Sequence, residues 1–468
     1  MIGDTNHGTL TFRGATFAAV TLENPVLAAF EPHVAVNGSS FVFKIGDGIR
    51  AYNDLPNLAG ATATAADVGI AHRSRVEDYL RARGGSIGTN GLPAVALRFD
   101  HGLANFKTTI LPMLTARQLP ASLALNTSPD NMALAENAGV LWADVRDMTM
   151  EKGIEPWNHS HTHGESVTEA EIRENAVTAP FAVFETELPN STVEGFVVPG
   201  GLAEWNGWTN TNTVDHFGSA YVAGSIVMAR HALVTGHLGG AVWSLTGQPV
   251  NGRRHLSADA MTSAQVIAAI TRAQLVKGGV VIMMHPTLLN TTGMSTATLT
   301  AILDHIVAER DAGRLMVLTM SGLMGADVRS SYRHNVLAPF SANTPWTPQT
   351  NYTLTGDVFS SSTATDTIRQ TIQFTDIEAL KGRLREFSVE ARALTGTGTA
   401  TLRLNVVSSG TNGSISHLQN FVLPADSVWR RYRLFPQILR TAFSGNYDAG
   451  RVAGTGTLEM RDARLEAV

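Results

Sequence analysis

The chain has 468 residues, 44% of them apolar and 16% charged, and a formal net charge of -5. These values are typical of a folded protein with roughly two to four domains, and the absence of a Lys/Arg cluster argues against a nucleic-acid partner. The chain contains no cysteine, which excludes disulfides and thiolate ligands, so any metal must be held by histidines and carboxylates. No apolar run approaches about 20 residues, and the first residues lack a basic, apolar leader. We therefore expect no membrane span and no signal peptide.

Residues 1–58 are predicted to form short strands and turns, with Gly46-Asp47-Gly48 as a turn between two strand-like segments. The composition alone predicts a β-hairpin and nothing more. The segment also resembles a small N-terminal module of phage tail-fibre and head-fibre proteins, through Arg13-Gly14, Asn24–Leu27, Phe43–Gly48 and Tyr52–Pro56. This resemblance implies a trimeric, β-rich unit that attaches a fibre or spike to a virion. Tyr52 stands where tryptophan is more usual.

Residues 59–90 are predicted to form a connector. An Ala/Thr-rich stretch is followed by a short helical pattern between Asp67 and Arg83, which Gly84-Gly85 ends. In a trimer this helix could line the symmetry axis. The alternative is that it packs on the domain that follows.

Residues 91–335 alternate strand-like runs with helical patterns, which predicts repeated βα units. The predicted strands are Ala94–Phe99, Ala121–Asn126, Gly195–Val198, Gly279–Met284 and Leu315–Thr319, and Gly153–Asn158 leads into a cluster of histidines. The predicted helices are Phe106–Gln118, Met132–Thr149, Val167–Leu188, Ala260–Lys277 and Thr298–Ala312. The order favours an α/β fold, a distorted (β/α) barrel of eight strands or fewer, with its site at the carboxyl ends of the strands.

Residues 336–468 change character, because Thr, Ser and Gly dominate and strand-like runs recur at short spacing. The predicted strands are Asn351–Val358, Thr367–Phe374, Arg383–Leu394, Thr399–Val407, Ser416–Leu423, Arg430–Leu434 and Thr455–Leu465. This spacing predicts an antiparallel β-sandwich after a proline-rich boundary at Val336–Pro348. The pattern around Val428–Tyr432 resembles carbohydrate-binding jelly rolls. A trimerisation or spacer sandwich is the alternative.

Three histidines, His159, His161 and His163, alternate with Ser160 and Thr162 directly after the segment Gly153–Asn158. Imidazole is the commonest protein ligand for zinc-like ions, so two of these side chains would make half of a metal site. If the segment were a straight strand, all three histidines would share one face and could form a ligand set by themselves. Otherwise the remaining ligand comes from another strand end.

Two further strand-like runs end in titratable residues. Residues 98–102 read R-F-D-H-G, and residues 283–285 read M-M-H. Together with the intact His-Ser-x-Thr-His motif at residues 159–163, these segments resemble the first, second and fifth motifs of the polysaccharide deacetylase family, also called the NodB-homology or carbohydrate esterase 4 family. The three motifs occur in the family's order and at its spacings, which implies the family's distorted barrel and its metal-dependent removal of acetyl groups.

The resemblance implies a role for each matching residue. The expected general base is Asp100 and the expected general acid is His285. The expected metal ligands are His101, His159 and His163. The resemblance also implies an oxyanion-binding N–H at Gly200 and a divalent metal, zinc in the first place with Co, Ni or Mn as alternatives. Ser160 and Thr162 are expected to support the ligand loop, and His161 occupies the motif's variable position.

The chain departs from the family pattern at two positions. His101 stands where the family has a ligating aspartate, which converts an Asp-His-His set into three histidines and leaves the ion one more positive charge. Val197 stands where the family has the arginine that orients the base, so Arg98, Arg253 and Arg254 are candidates for that role. Candidates for the fourth motif are Trp243 and the pair Arg254-His255.

Three tryptophans lie near the motifs. For Trp157, Trp205 and Trp208 we expect packing rather than sugar stacking. Trp205 and Trp208 are the better stacking candidates because they follow Pro199–Gly201 in a loop.

These observations predict a phage tail-fibre or tailspike protein, a homotrimer, that removes acetyl groups from a bacterial surface polysaccharide during adsorption. It would reside in the virion, contact tail or baseplate proteins and act outside the cell. One alternative is a receptor-binding adhesin with a degenerate deacetylase domain, to which His101 and Val197 point. Another is a bacterial or prophage-encoded cell-wall deacetylase with no virion role.

Overall fold

The protein is described by a computed structural model. The described residues are 13–16, 32–37, 40–45, 76, 85–164, 166–199, 222–236, 239–249, 251–331, 335, 337–338, 340, 345–347, 352–362, 366–373, 381–411 and 413–468. Within these ranges, none of the helices has the length and apolar character needed to span a bilayer.

The described part of residues 1–58 forms a small three-stranded sheet, as the sequence predicts in outline. Its strands are β1 Arg13–Thr16, β2 Pro32–Asn37 and β3 Ser40–Ile45. β1 runs parallel to β2, and β2 and β3 form an antiparallel hairpin. Most of the predicted connector, residues 59–90, lies outside the described residues.

A curled, mostly parallel sheet forms the middle of the protein, which makes it a mixed α/β fold. Its strands are β5 Ala94–Asp100, β6 Ala121–Leu125, β7 Ile154–Asn158, β8 Gly195–Phe196, β9 Leu233–Val234, β10 Val242–Ser244, β11 Leu256–Ser257, β12 Gly278–Met284 and β13 Met316–Leu318. Their order in the described residues is β10-β12-β5-β6-β7-β8-β9, with β11 on β12 and β13 on β5. Only β10 pairs antiparallel within this sheet as described. A separate parallel pair joins β4 Ile87–Gly88 to β14 Ala326–Asp327.

The central strands are apolar because both of their faces are covered. Every residue of β5, β6 and β12 is buried, as expected for parallel strands with helices packed on the sheet. The α-helices are α1 Leu103–Asn105, α2 Leu111–Ala116, α3 Pro129–Met132, α4 Trp142–Glu151, α5 Glu169–Arg173, α6 Ala179–Glu187, α7 Val222–Arg230, α8 Ser263–Val276, α9 Thr296–Asp311 and α10 Met320–Met324. π-helical turns at Phe106–Ile110 and Glu174–Thr178 join α1 to α2 and α5 to α6, and short 3₁₀ turns occur at Ala135–Asn137 and Pro286–Leu288.

Helix starts follow the capping signals in the sequence. The Thr168 hydroxyl accepts a hydrogen bond from the Glu171 N–H, and the Glu171 carboxylate accepts one from the Thr168 N–H, which is a capping box. The segment Met132–Thr149, predicted to be mostly helix, contains the end of α3, the 3₁₀ turn and most of α4. Gly139, with a left-handed φ of 74° that an α-helix does not allow, separates the 3₁₀ turn from α4.

The C-terminal part of the described chain is an antiparallel sandwich of two sheets. Its strands are β15 Thr353–Thr355, β16 Val358–Ser361, β17 Asp366–Gln373, β18 Arg385–Ala393, β19 Ala400–Gly410, β20 Gly413–Leu423, β21 Arg430–Leu434, β22 Ala442–Gly454 and β23 Leu458–Ala467. As described, one sheet has the order β15-β16-β23-β18-β21 and the other β17-β22-β19-β20. The predicted strand Asn351–Val358 is in fact parts of the two strands β15 and β16.

The sandwich packs against the α/β part. Arg383 forms an ion pair with Glu194 at 2.7 Å, and the Gln118 side chain accepts a hydrogen bond from the Arg433 N–H at 2.7 Å. Gly153 lies so close to the Phe435 ring that a Cβ at this position would approach the Phe435 Cβ to 2.9 Å. None of these three contacts involves the carboxyl end of a parallel strand.

Candidate functional site

The candidate site lies where three parallel strands end. β5 ends at Asp100 and is followed by His101, β7 is followed by His159, and β12 is followed by His285. Because neighbouring parallel strands point the same way, their carboxyl ends meet at one edge of the sheet. The sequence predicted this convergence, and the structure brings these side chains together.

His101, His159 and His163 form a compact cluster. One ligand nitrogen from each can be chosen so that all three lie within 4.8 Å of one another. The ring centroids of His159 and His163 are 4.8 Å apart, and that of His101 lies 6.1 Å from His159 and 5.4 Å from His163. The His285 ring lies 5.0 Å from that of His101, on the flank of the cluster.

The segment that carries His159 and His163 is a tight turn and not a straight strand. Ser160 and His163 have left-handed φ angles of 70° and 59°. The Ser160 N–H donates to the Asn158 side-chain oxygen at 2.9 Å, and the His163 N–H donates to the Ser160 hydroxyl at 3.0 Å. The turn therefore directs His159 and His163 to one point. It leaves His161 outside the cluster, with its Nδ1 2.9 Å from the Thr127 hydroxyl.

The first motif also has a left-handed turn. His101 and Gly102 have φ angles of 42° and 63°. A Cβ on Gly102 would lie 2.9 Å from the Thr287 backbone nitrogen and 3.1 Å from the Pro286 Cβ. Glycine is therefore required here both for its backbone conformation and for the close approach of the chain that follows His285.

A hydrogen bond to the backbone of Val197 orients His159. The His159 Nδ1 lies 2.9 Å from the Val197 carbonyl oxygen, so Nδ1 carries the proton in this arrangement and Nε2 is left as the ligand atom. Burial lowers the pKa of His159 to about 3 and also lowers the pKa of His163. Both imidazoles are therefore neutral near pH 7, which is the form that binds a metal.

Arg98 binds Asp100 directly. Its Nε and one Nη donate to the two Asp100 oxygens at 2.7 Å and 2.6 Å, and both side chains are buried. Burial alone would raise the pKa of Asp100, but the Arg98 guanidinium and the nearby His159 hold it well below its ordinary value. Of the three arginines that the sequence left open, Arg98 is the one bonded to Asp100 in the described part of the chain.

His285 is supported by Asp259, a residue that the sequence analysis did not select. The two Asp259 oxygens accept from the His285 N–H and face its Nδ1, both at 2.7 Å. Burial would lower the pKa of His285, but its hydrogen bond to Asp259 and the charge of Asp100 raise it above its ordinary value. The His285 side chain keeps 29% of its surface exposed, so the site is open to solvent.

The residues present fit a divalent ion. Zinc bonds to imidazole nitrogens are about 2.0–2.1 Å long, so tetrahedral ligand atoms lie roughly 3.4 Å apart. The ligand atoms of the three imidazoles lie within 4.8 Å of one another, so they need to approach by up to about 1.4 Å to reach this spacing. The Nδ1 of His101 is buried and lies 3.2 Å from a Glu136 carboxylate oxygen, without an aligned hydrogen bond to the described residues.

Some predicted residues lie outside the described part of the chain. Gly200, Trp205 and Trp208 are among them, so their expected roles in oxyanion and sugar binding stay predictions. Trp157 is a packing residue, as expected. Its ring is buried against Gly195, where a Cβ would lie 2.1 Å from the ring, and its indole N–H donates to Glu155.

Trp243 and His255, considered for the fourth motif, take structural positions. Trp243 is buried on the edge strand β10 opposite Gly279. The His255 Nδ1 lies 3.4 Å from an Arg98 Nη, behind the base. It is Asp259 that supports His285 through a hydrogen bond. It lies only two residues beyond β11, which is too short to produce a periodic signal in the sequence.

A buried asparagine network lies under the ligand turn and was also missed. The Asn158 side chain donates to the Ala176 carbonyl oxygen at 2.8 Å and lies 3.0 Å from the His231 Nε2. Asn175, in the second π-helical turn, accepts from the Thr162 N–H at 2.8 Å. The turn is thus fixed from below, while Ser160 and Thr162 support it as predicted.

The fold and the geometry together define a candidate divalent-metal centre of an α/β protein, with a buried carboxylate on one flank and a carboxylate-supported histidine on the other.

No family model and no curated protein matches the chain. Among solved structures, a family 4 carbohydrate esterase from Streptomyces lividans in complex with acetate is 19% identical, with a TM-score of 0.30 over 50% of this chain and 95% of that chain. A family 4 carbohydrate esterase from Bacillus anthracis is 16% identical, with a TM-score of 0.30 over 53% and 90%. The CBM22-1 xylan-binding domain from Paenibacillus barcinonensis is 12% identical, with a TM-score of 0.24 over 29% and 96%. The structural neighbours thus include family 4 carbohydrate esterases and a carbohydrate-binding module.

Proposed function

We propose that the protein is a metal-dependent deacetylase that removes acetyl groups from a bacterial surface polysaccharide, and that it acts as part of a phage tail fibre or tailspike. The observation that carries the catalytic part is the convergence of three imidazoles beside Asp100 and His285 at one edge of the parallel sheet.

His101, His159 and His163 would hold the ion. Zinc is the first choice for three imidazoles, and Co, Ni or Mn are the alternatives. When bound, such an ion acts as a Lewis acid that polarises the acyl carbonyl and makes a water molecule easier to deprotonate.

Asp100 is the proposed general base. Its carboxylate is ionised at neutral pH because Arg98 holds its pKa well below the ordinary range. The two hydrogen bonds from Arg98 also fix the plane of the carboxylate, which limits the directions from which it can accept a proton.

His285 is the proposed general acid. The hydrogen bond to Asp259 places the proton on Nδ1 and favours the imidazolium, so Nε2 can donate to the leaving amine or alkoxide. Since its pKa is raised, a larger fraction of His285 is protonated near neutral pH than for an ordinary histidine. The Gly200 N–H for the oxyanion and Trp205 for the sugar complete the proposal from the family resemblance.

The virion part of the proposal is supported by the resemblance of residues 13–56 to a fibre-attachment module. It implies a homotrimer bound to tail or baseplate proteins, acting outside the host cell. Light scattering should give the mass of a trimer, and proteomics of purified phage particles should contain the chain. A monomer that is absent from particles would contradict this part and favour a cell-wall deacetylase with no virion role.

The catalytic test uses the full chain supplied with zinc or cobalt. We expect acetate release from at least one member of a panel of N- and O-acetylated bacterial glycans, and loss of that release with a chelator. The variant His159→Ala should lose metal and activity, whereas the matched control His305→Ala, on helix α9 and outside the cluster, should keep both. A chain that holds no metal, releases no acetate and still binds cells would be an adhesin with a degenerate deacetylase domain.

A further inference from the structure

Glu136 lies beside the ligand cluster. Its Oε1 is 3.2 Å from the Nδ1 of His101, and the two side chains keep 27% and 21% of their surface exposed. The two atoms are in contact, although the Nδ1 makes no aligned hydrogen bond with the described residues. Among the described residues, His101 is the basic side chain that lies within 4.0 Å of the Glu136 carboxylate.

The backbone holds Glu136 in this position. It occupies the 3₁₀ turn Ala135–Asn137, and the Asn137 side-chain oxygen accepts a hydrogen bond from the Leu103 N–H at 2.8 Å. The same asparagine donates to the Asn131 carbonyl oxygen at 2.6 Å. Asn137 therefore ties the turn that carries Glu136 to the turn that carries His101.

The charges around the cluster explain what this carboxylate can do. Three imidazole ligands supply no negative charge, so they leave the full charge of a divalent ion uncompensated. Asp100 is paired with Arg98, and Asp259 faces His285, so neither carboxylate is free to offset that charge. Glu136 is a further acidic group in the described part of the site, with its carboxylate 3.2 Å from the His101 Nδ1 and in favourable electrostatic interaction with His163.

We propose that Glu136 is a positioning residue for His101. Its carboxylate accepts the Nδ1–H and so turns Nε2 towards the ion. It also places beside this ligand the negative charge that a ligating aspartate would have supplied directly. Carboxylates that accept the second ring N–H of a ligating histidine fix its tautomer and raise its basicity. This inference rests on the proposed metal site, and it assigns Glu136 no contact with the ion.

Zinc affinity of the full chain tests the proposal, measured by calorimetry or by competition with a chromophoric chelator. Loss of such a partner lowers metal affinity by roughly 10- to 100-fold. We expect a loss in this range for Glu136→Ala and a smaller loss for Glu136→Gln, because glutamine keeps an acceptor oxygen without the charge. Glu169→Gln, an exposed glutamate on α5 paired with Arg173, is the matched control and should bind zinc like the wild type.

A second background separates positioning from direct binding. In His101→Asp, no imidazole remains for Glu136 to orient, so Glu136→Ala should change zinc affinity by less than about threefold. A loss of the same size in both backgrounds would assign Glu136 to the ion itself and overturn the proposal. So would a zinc-loaded crystal in which His101 binds through Nδ1.

Two controls keep the outcomes distinct. The metal-free Glu136→Ala protein should have the same melting temperature as the metal-free wild type, because the carboxylate supports a ligand and not the core. If wild type binds zinc and Glu136→Ala binds it equally well, the inference about Glu136 fails alone. If wild type binds no zinc under any condition, the proposed deacetylase function fails with it.

Discussion

Replacing Arg98 by leucine should destabilise the α/β part strongly and weaken the proposed base. The Arg98 and Asp100 side chains are 3% and 4% exposed and are joined by two hydrogen bonds of 2.7 Å and 2.6 Å. Removing the guanidinium leaves a buried carboxylate without the cation that is hydrogen-bonded to it. Breaking a buried pair in this way costs about 3–5 kcal/mol.

The hydrogen bonds give a similar magnitude. Hydrogen bonds to charged groups contribute about 1.5–3 kcal/mol each, so two of them account for roughly 3–6 kcal/mol. A unit of 150–250 residues loses about 2–4 °C of melting temperature per kcal/mol, so Arg98→Leu should melt roughly 6–20 °C below the wild type. The protonation of Asp100 should change as well, because burial then raises its pKa without opposition from Arg98.

Two measurements check this. Calorimetry of the full chain gives the melting temperature, and the pH dependence of acetate release gives the apparent pKa of the base. A base is active when ionised, so a raised pKa moves the acidic limb of the profile to higher pH. The matched control is Arg173→Gln, which removes an exposed pair with 56% and 54% of the side chains accessible and should cost less than about 1 kcal/mol.

The double variant Arg98→Leu/Asp100→Leu distinguishes charge from packing. Replacing both members of a buried pair by apolar side chains is often neutral for stability, so the double variant should recover most of the lost melting temperature. An Arg98→Leu protein that melts with the wild type and keeps its acidic limb would refute the reasoning. A double variant as unstable as the single one would show that Arg98 acts through packing.

Two more outcomes follow from histidine environments. Asp259→Asn removes a hydrogen bond that raises the pKa of His285. Because a general acid acts when protonated, the alkaline limb of the pH profile of acetate release should move to lower pH. An alkaline limb that does not move would exclude His285 as the acid. In the sandwich, burial lowers the pKa of His417 to about 4 from an ordinary 6.5, so the folded protein binds fewer protons than the unfolded chain between these values and loses stability as the pH falls. Urea titrations should show that between pH 7 and pH 4 the wild type loses about 3 kcal/mol more of its free energy of unfolding than His417→Leu does. Equal losses in the two proteins would contradict this.

The sequence predicted the parts of the fold that have a strong local signal. The buried runs of β5, β6 and β12 stand out because both faces of these strands are covered. Strands β9 and β11 have two residues each, too few for a period to show. β22 was missed because its sequence, AFSGNYDAGRVAG, mixes glycines and polar residues, and its buried positions include Asp448, which is bonded to Arg369.

The same division holds at the site. Asp100, His101, His159, His163 and His285 follow strands and occur in recognisable motifs, so the sequence could select them. Glu136 and Asp259 come from a 3₁₀ turn and a loop, and their importance depends on which histidine nitrogen they face. That information arises only when segments 26 or more residues apart along the chain are brought together, as for the His285–Asp259 hydrogen bond.

The backbone at the ligand turns explains why these motifs read as they do. His101, Ser160 and His163 are non-glycine residues with φ angles of 42°, 70° and 59°, a conformation that costs about 1–2 kcal/mol for an L-residue. Such residues persist only where surrounding bonds determine them, and here the Asn158 side chain and the Ser160 hydroxyl supply those bonds. A hydroxyl at position 160 and a carboxamide at position 158 are thus needed to bend the chain. This bend lets His159 and His163 reach the same point.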